Sequence, residues 1–198
     1  LQVRYMSFVY KPPTEWIAPD VFPTEILCQA KEIAIDLETR DPHLKELGPG
    51  YIRGDGEAVG ISFAVDGYEN YFPFAHESGF NFSKKKVLEF TRKICATESD
   101  KVFHNSTYDV GWLTHHGVPI NGRIIDTMIV APLIDENQFW FSLNALGREY
   151  INEGKSEGEL SAAAEEWGLD PKADMWRLPS AYVGTYATQD AALTLKLW

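Results

Sequence analysis

Residues 31–38 (Lys-Glu-Ile-Ala-Ile-Asp-Leu-Glu) alternate strictly, with Ile33, Ile35 and Leu37 on one face and Ala34, Asp36 and Glu38 on the other. A period of two predicts a strand. Two more apolar, β-prone runs, 57–66 and 68–73, flank Asp66-Gly67, a pair suited to the positive φ of a tight hairpin turn. Three antiparallel strands are therefore expected. The period then changes. Within 83–97, Val87, Phe90, Thr91 and Ile94 recur at helical spacing behind a candidate Ser83 cap, although Lys84 to Lys86 sit badly at the positive end of a helix. A short strand at 101–104, a helix over about 107–116 ended by Gly117, and a strand at 123–125 follow. Asp126 is placed to cap a helix that runs to Leu133 and is bent by Pro132. Residues 142–150, with Leu143, Leu146 and Tyr150 on one side, and then 160–167 and 180–198, complete a helical second half.

The stretches between these elements differ in kind. Residues 1–30 carry Pro12, Pro13, Pro19 and Pro23 and read as an extended arm strapped across the domain. Residues 41–56, rich in Gly, Pro and charge, read as a loop long enough to be functional. Residues 152–159 read as a charged, glycine-containing, solvated loop. Strands first and helices later, with one strand–helix–strand crossover, indicate a single mixed α/β domain over 31–198 with helices on the sheet faces.

Composition narrows the function. The chain of 198 residues is 44% hydrophobic and 13% aromatic, enough for one well-buried core. Its formal net charge of -11 argues against a domain that grips duplex nucleic acid by itself, since that affinity comes from Lys and Arg. Divalent cations can offset acidity locally, so a short, metal-bridged stretch of backbone stays compatible with the charge. Cys28 and Cys95 lack the spacing of a zinc site or a disulfide scaffold, pointing to a reduced, cytoplasmic setting. No stretch is apolar enough for a membrane span and the start has no signal-like pattern. Residue 1 is Leu and the chain stops at Trp198 inside the apolar run 191–198, which reads as a portion excised from a longer polypeptide.

Three segments carry the candidate chemistry: Asp36-Leu37-Glu38, Asn105 to Asp109, and Tyr186 to Asp190. Asp36 and Glu38, two apart on a strand, project to the same face. Asn105 leaves the short strand at 101–104, and Asp109 falls in the first turn of the helix that follows. Tyr186 and Asp190 stand one helical turn apart and reach the same point. Each segment alone has an ordinary structural reading: a solvated acidic pair, a helix cap, and a core Tyr beside a surface Asp. His104 reads as a structural histidine. Brought together, four carboxylates and a phenol make an oxygen-rich site for two hard divalent cations, the chemistry of phosphodiester cleavage.

In this order and spacing the segments resemble the DEDD-type 3′–5′ exonucleases of the ribonuclease H-like fold, in the subgroup with Tyr in the last motif. Asp36, Glu38, Asp109 and Asp190 match the four acids and Tyr186 the tyrosine. The stretches 48–60, 102–113, 126–137 and 142–155 further resemble the proofreading domain of phage-type family A DNA polymerases. The resemblance implies a ribonuclease H-like mixed sheet and two Mg²⁺ or Mn²⁺ ions about 4 Å apart. It also implies Asp36 bridging both ions, Glu38 and Asp190 completing the first site, Asp109 supporting the second, and Tyr186 orienting the attacking water. Thr39, Asn105 and Tyr108 would contact the strand. The implied substrate is a single-stranded DNA 3′ end, with a polymerase domain following in the same chain and, if phage-encoded, a host-cytoplasmic setting. A ribonuclease D-like RNA exonuclease and an inactive, exonuclease-like scaffold module are the competing expectations. Phe139-Trp140-Phe141 has two readings, a base-stacking platform or aromatics split between core and surface.

Overall fold

The structure, a computed structural model, describes residues 14–198. The expectation of an extended arm over 1–13 lies outside the described residues. Beyond them, residues 14–23 are irregular, but the arm does not stay extended to Ala30, because Thr24–Gln29 forms a short helix, α1. Pro23 starts it, Glu25 occupies its positive end, and Leu27 is driven fully into the core.

Five strands follow the expected order: β1 (Glu32–Arg40), β2 (Glu57–Val65), β3 (Tyr68–Pro73), β4 (Asp100–Phe103) and β5 (Ile124–Asp126). They form one sheet in the order β3-β2-β1-β4-β5. The first three pair antiparallel, and β1·β4 and β4·β5 pair parallel. Gly67 takes φ 78° at the β2–β3 turn, where only glycine is unstrained. Between β1 and β2, residues 41–56 are not the irregular loop expected. They fold into two single-turn helices, α2 (Leu44–Leu47) and α3 (Gly50–Arg53). Asp41 holds this segment, accepting from Gly50 N at 2.7 Å and pairing with Arg53 at 3.1 Å.

The remaining helices are α4 (Lys84–Cys95), α5 (Ser106–His115), α6 (Thr127–Ile134), α7 (Leu143–Ile151), α8 (Gly158–Trp167) and α9 (Ser180–Leu197). Caps act as expected at Asp126, whose side chain accepts from Met128 N, and at Ser142, which accepts from Ala145 N. Ser83 occupies the cap position of α4 without a side-chain hydrogen bond, and Lys84 is instead held by Glu57 at 2.6 Å.

Alternation along β1 separates two layers. Ile33, Ile35 and Leu37 join Ile61, Phe63 and Phe72 under α4 and α5 in the main core. On the opposite face Ala34, Ala64, Val102 and Ile125 meet Ala191 and Ala192, so small side chains let α9 lie close across the sheet. Asp36 and Glu38 share that second face by the same alternation.

Candidate active site

Asp36 and Glu38 lie on β1 opposite Ser62 and Gly60 of β2. A register shift follows immediately, between Glu38 and Thr39, so the extra residue on β2 disturbs the ladder only beyond the acids. From the helix across that face, Asp190 offers a carboxylate oxygen that lies with those of Asp36 and Glu38 inside a 4.8 Å span. Asp190 is 3% exposed and Tyr186, one turn earlier, 7%. The fold thus gathers three of the four acids and the phenol at one place.

Asp109 sits beside this cluster. Parallel pairing of β1 with β4 ends at Ala34↔Val102, so the backbone beyond it needs another partner on that edge. Asp109 supplies it: Oδ1 accepts from Leu37 N at 2.9 Å. One oxygen of this carboxylate therefore fixes the strand that bears Asp36 and Glu38.

Burial and mutual repulsion set the electrostatics. Burial, then the charge of Asp190, pushes Asp36 up to about 7, with Lys155 pulling the other way. Asp36 keeps part of its surface exposed, but its carboxyl is enclosed by protein atoms. Burial also raises Glu38, followed by Asp36 and Asp190, and raises Asp109, followed by Asp36. Asp190 is raised by burial against the lowering effect of Lys155. Tyr186 is held firmly protonated, first by burial and then by Glu38 and Asp190. A phenol so held orients a neighbour by hydrogen bonding and does not serve as the base at neutral pH.

A divalent cation fits this donor set. The ligands are hard oxygens, they repel one another without a cation, and Asp190 Oδ1 is buried with no hydrogen-bond partner.

This arrangement carries a pH prediction. A carboxyl whose pKa is raised by folding stabilises the fold below its unfolded value, and that contribution is lost as pH rises through the folded value. Asp36 titrates near pH 7. His76, His104 and His116 have folded values lowered to about 4 by burial, so they weaken the fold only as pH falls below their unfolded value of 6.5. Between about pH 6.5 and 8.5 the carboxylates dominate the pH dependence. The metal-free melting temperature should fall over that window, and Mg²⁺ or Mn²⁺ should raise it more at the upper end. A thermal scan in chelator showing no fall, or equal metal stabilisation at both ends, contradicts this.

The strand-contact candidates divide. Thr39 Oγ1 and Tyr108 Oη lie 2.8 Å apart, and Tyr108 Oη donates to Asp41 at 3.1 Å. They line a cavity of about 390 Å³ with Lys45, Asp170 and Lys172. Tyr108 also packs in the core against Tyr51 and Trp112. Asn105 is exposed at φ 70° and makes no side-chain cap. Asp126 takes that job, accepting from Asn105 N at 3.0 Å and Ser106 N at 2.6 Å besides capping α6. His104 Nδ1 lies 2.8 Å from Thr127 Oγ1, while its Nε2 is buried without a hydrogen-bond partner. Phe139 and Trp140 are 89% and 75% exposed, so the aromatic triplet does not divide evenly between core and surface.

Residues 152–159 hold a correction. Lys155 is not solvated: its side chain is 18% exposed, its ammonium pairs with Asp190, and it donates to Tyr186 Oη at 3.1 Å. Gathered buried carboxylates call for a counter-cation, yet nothing in the local pattern distinguishes Lys155 among 18 Lys and Arg. Tyr71 was also unsuspected. Fully buried, its hydroxyl lies 2.7 Å from His76 Nε2, whose Nδ1 lies 3.1 Å from Leu178 O.

A mixed sheet crossed by a helix, with this acidic cluster between them, is the ribonuclease H-like arrangement. Solved structures agree in fold. The catalytic core of RRP6 from Trypanosoma brucei superposes with TM-score 0.59 at 20% identity, covering 88% of this chain and 41% of that one. NrnC from Brucella melitensis with bound Mg²⁺ gives TM-score 0.57 at 19% identity, covering 88% and 73%. The sequence model of the 3′–5′ exonuclease family matches residues 23–198, and the chain belongs to that family.

A DNA-directed DNA polymerase of Pseudomonas phage M6 is 38% identical over 202 residues, covering 97% of this chain and 30% of the polymerase. The DNA polymerase DpoZ of Salmonella phage PMBT28 is 28% identical over 175 residues, covering 84% and 25%. The chain thus spans less than a third of the length of these relatives. Among the described residues, no helix is long and apolar enough to cross a membrane.

Proposed function

We propose that this chain is a metal-dependent proofreading exonuclease that removes nucleoside monophosphates from single-stranded DNA 3′ ends. In this reading residues 31–198 form the exonuclease domain of a longer phage DNA polymerase acting in the host cytoplasm. The observation that carries the chemistry is the cluster of Asp36, Glu38 and Asp190 within 4.8 Å, with Tyr186 one turn from Asp190. The polymerase context rests on the phage relatives.

Asp36, Glu38 and Asp190 would hold one divalent cation, with Asp36 also reaching a second that Asp109 supports. Bound cations of this kind lower the pKa of water and stabilise the departing 3′ oxygen. Glu38 and Asp190 enter as carboxylates that burial makes reluctant to ionise alone. Tyr186, kept protonated, directs a hydrogen bond at the attacking water. Asp109 also keeps β1 in place through Leu37 N. Thr39, Tyr108 and exposed Asn105 contact the terminal nucleotides, and Phe139 and Trp140 offer faces for bases to stack on.

The test is end-labelled single-stranded DNA and RNA incubated with the purified chain and Mg²⁺ or Mn²⁺, against a chelated control. Metal-dependent shortening of DNA from its 3′ end is expected. Faster shortening of RNA would favour a ribonuclease D-like enzyme. No shortening of either, in chain that binds metal and melts cooperatively, would leave the inactive scaffold.

A further inference from the structure

Lys155 is buried against the acids and held there by more than its charge. Its backbone N donates to Asn144 Oδ1 at 3.0 Å. Ser156 N donates to Gln189 Oε1 at 2.6 Å, and Gln189 Nε2 returns a bond to Gly154 O at 3.2 Å. A Cβ at Gly154 would lie 2.8 Å from Arg148 Nε and 2.9 Å from Asn144 Oδ1, so those side chains would have to shift to admit one. The segment is thus clamped to α7 and to α9, next to Asp190. Fixing a lysine in this way costs side-chain entropy and desolvation, which a surface charge would not incur.

The bonding pattern then constrains the phenol. Tyr186 Oη accepts from Lys155 Nζ, which lies 5.1 Å from the centroid of the same ring. With an acceptor site of the oxygen occupied, the single phenolic proton is left to donate. Asp190 meanwhile gives Oδ2 to the lysine and keeps Oδ1 without a partner. The ammonium therefore leaves an oxygen of this carboxylate free for a cation.

We propose that Lys155 is a positioning residue of the exonuclease reaction, its ammonium bridging Asp190 and Tyr186 so that the tyrosine hydroxyl is left to act as a donor to the attacking water. The inference rests on the exonuclease reading above and adds a fixed monovalent cation to the acidic pocket. It acts through Tyr186 and Asp190 and not on the substrate, so it governs turnover more than strand affinity.

The experiment compares the wild-type chain with Lys155→Ala, Lys155→Met and Lys155→Arg on single-stranded DNA. It reads kcat and KM separately, with Mn²⁺ binding by electron paramagnetic resonance and melting by circular dichroism. Lys155→Ala and Lys155→Met should bind Mn²⁺ with wild-type stoichiometry and keep KM within about threefold, while kcat falls about 10- to 100-fold. Added ethylamine should restore kcat at least about fivefold in the alanine variant, whose cavity admits it, and not in the methionine variant. A kcat within about threefold of wild type in folded Lys155→Ala, or a loss that no amine rescues, overturns the proposal. If the alanine variant fails to fold, Lys155→Met decides: it keeps most of the apolar stem and removes the ammonium, so kcat should fall with KM unchanged, and wild-type kcat overturns the role. Lys155→Arg, which keeps the charge and can donate to both oxygens, should retain more kcat than Lys155→Met. An inactive wild-type chain would sink the exonuclease reading itself, which separates that failure from a failure confined to the lysine.

Discussion

Asp36→Ala should lower the rate of metal-dependent 3′ shortening by about 10³-fold or more, the loss expected when several kcal/mol of metal-borne transition-state stabilisation disappear. Asp36 stands in the middle of the acidic set: its charge raises both Glu38 and Asp109, and Asp190 raises it in turn. No neighbour can take its place in both directions. Tyr186→Phe should be milder, about 10- to 100-fold, because it removes an orienting hydroxyl and leaves every carboxylate in position. Stability supplies the control. Removing one of several repelling buried acids should leave the metal-free Asp36→Ala chain melting no lower than wild type at pH 8. If Tyr186→Phe proved as inactive as Asp36→Ala while still binding Mn²⁺, the assignment of the tyrosine to orientation would be wrong.

Gly60→Ala should be the most damaging small substitution to the fold. A Cβ at Gly60 would lie 2.0 Å from Tyr71 Oη and 2.2 Å from its Cζ. The ring cannot withdraw easily: Tyr71 is fully buried among side chains of α8 and α9, and its hydroxyl is tied through His76 to Leu178 O. Overpacking of this kind costs about 3 kcal/mol, or a fall in melting temperature of about 6–12 °C for a chain this long. Activity should suffer too, since Gly60 is the ladder partner of Glu38. Tyr71→Phe, by removing the nearest atom, should make the double variant less unstable than the sum of the singles. A Gly60→Ala chain melting within about 2 °C of wild type would show that the ring can move aside.

Elements with a strong period were legible before any coordinates: β1, the β2–β3 hairpin at Asp66-Gly67, and the helix bearing Tyr186 and Asp190. They also carry Asp36, Glu38, Tyr186 and Asp190, which spacing places in pairs on shared faces and only the family resemblance marks as one set. What escaped has physical causes in common. Single-turn α2 and α3 bury only Gly50 and leave no periodic trace, being held by the side chain of Asp41. Lys155 lies in a charged stretch without periodicity, and the bonds that carry it inward come from Asn144 and Gln189, 11 and 33 residues away in sequence from the groups they hold. Asp126 was expected to cap one helix and caps two, because the second bond spans a strand pair that only the sheet brings together.

That double cap bears on how a polyanion could be held. Exposed helix N-termini attract phosphate through free backbone N–H groups and the positive end of the dipole. At the starts of α5 and α6 those donors already face a protein carboxylate: Asn105 N, Ser106 N and Met128 N all bond to Asp126. Two ready-made anion seats beside the acidic cluster are thus occupied from within, and backbone phosphate entering a chain of net charge -11 must find its positive partners among mobile cations, lysines and arginines.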